Sequence, residues 1–185
     1  MTPVPVKRYF IGILPPTAIA AEVTSIKDAL RDKYQTKAAL RSPPHITLHM
    51  PFEWKETKED VLIARLESFF AGESSFPLTL SGIGCFEPRV IFIQVKENDD
   101  LRLLQKRSAR FCKTELNLFH SQYKDLPYHP HLTLAFRDLK KPDFQQAWED
   151  ARDKPFDREF DVTLISLLKH DGKLWNTHHS FQLLS

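Results

Sequence analysis

Two short stretches combine residue types that can move protons and hold an anion. Pro44–His45–Ile46–Thr47–Leu48 and Pro130–His131–Leu132–Thr133–Leu134 share the pattern Pro–His–apolar–Thr–Leu. Imidazole titrates near neutral pH, so one histidine can accept a proton while the other donates one. In an extended strand the residue two positions on lies about 6.6–6.8 Å further along the same face. Thr47 and Thr133 therefore place hydroxyls beside their histidines. Two such donors between two imidazoles suit a phosphate, whose several oxygens can accept from both sides. No carboxylate stands at motif spacing to hold Mg²⁺, and the pattern needs no serine or cysteine nucleophile. The chemistry that fits is direct attack of water on a strained phosphodiester, with no metal or other cofactor. One His-x-Thr would be weak grounds for this; its recurrence at equivalent places in the chain carries the reading.

The elements around the motifs follow from periodicity and punctuation. Val6–Leu14 reads as a strand ended by Pro15–Pro16. Thr17 is placed to cap a helix with Ile19, Val23, Ile26 and Leu30 on its apolar stripe, running to about Tyr34. Lys37–Pro44 is a linker that enters strand His45–Met50 extended, because proline disfavours a helical residue before it. Alternation puts His45, Thr47 and His49 on one face and Ile46, Leu48 and Met50 on the other. Thr57–Asp60 resembles a capping box opening a helix to about Ala71. Phe76–Cys85 and Val90–Val95 form an antiparallel pair around Phe86–Arg89. Asn98 caps a helix with Leu101, Leu104, Ser108, Phe111 and Cys112 inward. After a loop, Asn117–Pro127, comes strand Tyr128–Phe136, on which His129, His131 and Thr133 share a face that Arg137 continues. Lys141–Lys154 is a helix with Pro142 in its first turn. Phe156–Leu168 and Leu174–Leu184 close the chain as a hairpin around Asp171–Gly172.

The order strand, helix, motif strand, helix, strand occurs twice, with the motifs 86 residues apart. The same offset carries Leu78 onto Leu164. The expected fold is α+β and bilobal: a pseudo-twofold duplication of halves at about 6–85 and 90–168, with a closing strand at 174–184. Two small, mainly antiparallel sheets would line a central cleft, with helices outside.

Composition narrows the partners. An apolar fraction of 42% supports a real core, and a net charge of +2 lacks the clustered basic surface of a general nucleic-acid binder. Arg102, Lys106, Arg107, Arg110 and Lys113 read as a solvated helix face. Cys85 and Cys112 have no metal or redox spacing and read as reduced thiols. No stretch approaches a membrane span or a secretory leader, so a cytoplasmic protein with no stable protein partner is expected.

The motif pair His45–Ile46–Thr47–Leu48 and His131–Leu132–Thr133–Leu134 resembles the two HxTx motifs of the two-histidine phosphoesterase superfamily, which includes RNA 2′,3′-cyclic phosphodiesterases and 2′-5′ RNA ligases. The resemblance spans nearly the whole chain. It implies metal-independent opening of a 2′,3′-cyclic phosphate, on an RNA end or a small nucleotide, to a 2′-phosphate. By that likeness His131 activates water, His45 protonates the leaving 3′ oxygen, and Thr47 and Thr133 hold the phosphate. Six further residues are candidates for substrate contact. His49 and His129 add imidazoles beyond the pattern, Arg137 and Arg41 can reach phosphates, and Tyr128 and Phe86 can stack on a base. Three other readings compete: a non-catalytic RNA-end or nucleotide-binding module, a ligase running the reaction in reverse, and a histidine metal site built from His45, His49, His129 and His131.

Overall fold

A computed structural model describes residues 5–118 and 127–185; residues 119–126, most of the loop expected at Asn117–Pro127, lie outside the described residues. Among the described residues eight strands form one antiparallel sheet in the order β6-β3-β4-β5-β2-β1-β7-β8. They are β1 Val6–Ile13, β2 Ile46–Lys55, β3 Phe76–Phe86, β4 Val90–Val95, β5 His131–Ala135, β6 Asp157–Val162, β7 Leu164–His170 and β8 Trp175–Gln182. Among the described residues four α-helices accompany them: α1 Thr17–Tyr34, α2 Glu59–Phe70, α3 Asp99–Thr114 and α4 Lys141–Arg152. The α+β class and the antiparallel pairing match expectation. The two four-stranded lobes, however, are joined: β2 and β5 meet at a single bridge, Ile46 with Leu132.

One expected strand divides. Phe156–Leu168 reads as a continuous run, yet β6 pairs with β3 and β7 pairs with β1, so the chain changes lobe at Thr163. The carbonyl of Thr163 accepts from the Leu183 amide (2.9 Å), which keeps the crossover satisfied. Propensity could not reveal this, because residues on both sides favour strand. The outer strands are blunted by polar side chains. β6 carries Asp157, Arg158, Glu159 and Asp161, and β8 carries Asn176, Thr177, His178 and His179, which discourages edge pairing.

The helices pack on the sheet, α1 on β5 and α3 on β2 across the lobes, α4 on β3 and α2 on β8 within them. Apolar faces explain each contact, with Leu62, Leu66 and Phe70 buried on α2 and Phe144, Ala147 and Ala151 on α4. Asn98 caps α3 as expected, accepting from the Leu101 amide at 2.8 Å. Two other expected caps do not form. Thr17 is already inside α1, whose N-cap is Pro16. Thr57 falls in a 3-10 turn, Glu56–Lys58, so the capping box is displaced and α2 starts at Glu59. Glu59 is taken instead by a half-buried network: it accepts from the Tyr9 hydroxyl, pairs with Lys169 at 2.6 Å and meets His178 at 2.9 Å.

Candidate active site

The site starts at the bridge between the lobes. Ile46 and Leu132 are both fully buried and fix the register of β2 against β5. Extending that antiparallel register sets His45 across from Thr133 and Thr47 across from His131. Opposite residues in such a pair share a face. The four polar side chains thus lie above the seam, over the two apolar ones that anchor it.

Both histidines are held the same way. His45 Nδ1 lies 2.8 Å from the Pro43 carbonyl, and His131 Nδ1 lies 2.8 Å from the His129 carbonyl. A carbonyl only accepts, so each Nδ1 carries the proton and each Nε2 keeps a lone pair for chemistry. Aromatic rings back both. Phe10 of β1 lies 4.6 Å from His45, and Phe92 of β4 lies 5.1 Å from His131. A side chain on Gly84 would come within 2.8 Å of the Phe92 ring, so the glycine gives that ring its place.

Burial sets the protonation. It pushes His45 down to about 4 against the opposing pull of the Pro43 carbonyl, with the Lys27 ammonium and His131 adding to the effect. Burial also lowers His131, opposed by the His129 carbonyl and reinforced by the His129 ring. Both imidazoles are therefore neutral at pH 7 in the free protein. Thr47 and Thr133 are half-buried on the same surface.

The remaining candidates separate. Tyr128 crosses the seam, donating its buried hydroxyl to the Thr47 carbonyl at 3.0 Å; burial raises its pKa. Phe86 is 39% exposed at the end of β3, with its ring 5.0 Å from His129 and 5.3 Å from His131. That makes a rim aromatic rather than a core one. His129 is exposed beside it. Arg41 is exposed at the end of a 3-10 turn, Ala38–Arg41, in the linker before the first motif.

His49 and Arg137 leave the face that carries the two motif histidines and threonines, for one shared reason. Opposite β1 the register runs from Gly12–Thr47 to Ile11–His49, and opposite β4 it runs from Phe92–Thr133 to Ile91–Ala135. Each motif strand therefore carries one extra residue just past its threonine, Leu48 and Leu134. Such a bulge breaks strict alternation and re-aims the side chains beyond it. His49 is buried edge-on to Phe52 at 5.5 Å. Arg137 takes a left-handed φ of 57° and lies over Phe136 at 5.0 Å. Asp138 does not pair with it but accepts from Thr36 Oγ1 (2.7 Å) and the Lys37 and Ala38 amides (2.7 and 3.0 Å). Among the described residues no three of His, Cys, Asp or Glu converge as a metal ligand set, the four motif-region histidines included.

Sequence reasoning missed Lys27, which is buried on α1 and donates to the Ala39 carbonyl at 3.0 Å. The signal was present. The buried stripe of α1 is Ile19, Val23, Lys27 and Leu30, with a lysine where Ile26 was expected to count. Phe10 and Phe92 carry no local signal because their roles exist only across strands, and Asp138, a candidate partner for Arg137 by sequence, binds the Thr36–Ala38 segment instead.

Comparison with known proteins places this geometry in context. The family model described as the 2′-5′ RNA ligase superfamily matches residues 15–174. The "Putative phosphoesterase" of Bacillus cytotoxicus is 28% identical over 159 residues, covering 84% of this chain and 87% of that protein. The crystal structure of TT0787 of Thermus thermophilus superposes with a TM-score of 0.69 at 24% identity, covering 95% of this chain and 97% of the other. Escherichia coli LigT in apo form gives a TM-score of 0.63 at 22% identity, covering 98% and 99%. LigT has also been crystallised with 3′-AMP. At these identities the two structural likenesses speak to the fold.

Proposed function

Because the chain belongs to the 2′-5′ RNA ligase superfamily, we propose that it is a metal-independent phosphoesterase that opens 2′,3′-cyclic phosphates, at RNA ends or on nucleotides, to 2′-phosphates. The observation that carries the reading is the matched pair of imidazoles, each with Nδ1 tied to the carbonyl two residues back and Nε2 left for proton transfer. The naming of relatives as phosphoesterases and the crystallisation of LigT with 3′-AMP support a nucleotide phosphate as the occupant.

The steps are set by the groups present. The cyclic phosphate lies between Thr47 and Thr133, whose hydroxyls donate to its non-bridging oxygens. Its negative charge favours protonation of a neighbouring imidazole that burial otherwise keeps neutral. Water attacks phosphorus as His131 Nε2 takes its proton. The bond from phosphorus to O3′ breaks as His45 Nε2–H protonates that oxygen. The product is the 2′-phosphate with a free 3′-hydroxyl, and the proton has moved from one histidine to the other. Phe86 and Tyr128 border the substrate from the second lobe. A 5′-hydroxyl approaching a 2′,3′-cyclic end in place of water would give a 2′-5′ linkage with the same groups.

The test is hydrolysis of 2′,3′-cyclic AMP in the presence of a chelator. His45→Ala and His131→Ala are each expected to lose about 10²–10⁴-fold in turnover while remaining folded. Retained turnover in both variants, or loss of wild-type turnover on chelation, would sink the scheme. Wild-type protein that binds without turning over would instead favour a binding module.

A further inference from the structure

A cavity beside the first motif holds a cation that the two-histidine chemistry does not use. Lys27 is only 3% exposed, and its ammonium donates to the Ala39 carbonyl at 3.0 Å. No carboxylate pairs with it among the described residues, and burial pushes it down to about 8. A buried ammonium without a counter-ion is costly, and an anion sharing the position would offset that cost. Lys27 lines the cavity with Thr24, Arg41, Trp175 and Asn176. Arg41 adds a second, exposed cation at its mouth. The Pro43–Pro44 wall leads directly into His45. Phe10 touches both His45, at 4.6 Å, and Trp175, at 4.8 Å, so the cavity abuts the wall of the candidate active site.

We propose that this cavity is an anion subsite for the 5′-phosphate of the nucleotide whose cyclic phosphate lies between the two histidines, an inference that rests on that reading of the site. Every nucleotide within an RNA chain carries a phosphate on its 5′ oxygen. A protein acting on RNA ends therefore meets two phosphates separated by one ribose, whereas a cyclic nucleoside phosphate offers one. The Lys27 ammonium has two protons not given to Ala39, and the Arg41 guanidinium is a fork suited to phosphate oxygens. The subsite selects 5′-phosphorylated ends over nucleosides that carry only the cyclic phosphate.

The experiment compares adenosine 2′,5′-bisphosphate with adenosine 2′-monophosphate by titration calorimetry at pH 7. The ligands differ by the one phosphate in question. Wild-type protein is expected to bind the bisphosphate about tenfold or more tightly, the scale of one charge-assisted contact. Lys27→Met and Arg41→Gln should each reduce that preference several-fold. Should Lys27→Met fail to fold, the exposed Arg41→Gln decides the matter. Equal wild-type affinities, or a preference that survives the substitutions, overturns the subsite. A preference that disappears as expected in a protein that does not hydrolyse 2′,3′-cyclic AMP upholds the subsite while rejecting the proposed reaction.

Discussion

At the scale of single residues, the site is governed by which proton each imidazole holds. The carbonyls of Pro43 and His129 fix both tautomers, and burial keeps both rings neutral, His45 near 4. A neutral pair holds two bases and no acid, so the proposed chemistry requires that an anion raise one of them. In nuclear magnetic resonance titrations, saturating inorganic phosphate is expected to move the His45 or His131 midpoint upward. If neither midpoint rises, acid–base exchange between them is lost as a mechanism. Both motif histidines were readable because their spacing from threonine is local. Their depressed basicity was not, since it depends on rings, such as Phe10 and Phe92, that arrive from other strands.

At the scale of elements, the two motif strands share a seam and a defect. The bulges at Leu48 and Leu134 end the run of alternating residues in the same place, which confines each strand's polar pair to His45 and Thr47 or His131 and Thr133. β1 must lie close to carry this. An added Cβ on Gly12, which pairs with Thr47, would stand 2.9 Å from the Ile46 carbonyl and 3.3 Å from the Phe10 ring. Gly12→Ala is therefore expected to lower stability by about 1–3 kcal/mol, as overpacking does, and to reduce turnover by tilting the ring behind His45. Urea unfolding and the cyclic-phosphate assay measure the two effects; an unchanged midpoint would show that β1 yields freely. The sequence marked these strands and their apolar faces. It held no sign of the bulges, because an extra residue is defined only against a partner's register.

At the scale of the whole molecule, ties between distant segments hold the β2–β5 seam in shape. Tyr128 reaches the first motif strand from the segment ahead of β5, and Asp138, just past β5, anchors the linker ahead of β2. Burial works to raise the Asp138 carboxyl, but the Lys37 amide, the Thr36 hydroxyl and the Ala38 amide outweigh it and hold the group below its ordinary range. A carboxyl whose folded pKa is depressed binds its proton first in the unfolded chain. Its stabilising contribution is full above about pH 4, the unfolded value, and fades as pH falls through the lower folded value. Asp138→Asn is thus expected to destabilise the protein more at pH 7 than at pH 3 by urea unfolding, and an equal loss at both would exclude the charge as the cause. The symmetric strand order about the β5–β2 bridge supports the proposal of a duplicated, two-lobed chain. In it the equivalents 86 residues apart, Ile46 and Leu132, meet each other.

By itself the sequence determined the α+β class, most strands and the helices α1 to α4, because apolar periodicity is a local property of neighbouring residues. It also singled out the two histidines and two threonines, since their pairing lies within five residues. Only the tertiary structure decided that the sheets join, that the chain changes lobe at Thr163, that His49 and Arg137 turn away, and that Lys27 sits beside the first motif. Each of these depends on what stands opposite a residue in space, and register between strands is set by the packing of the whole chain.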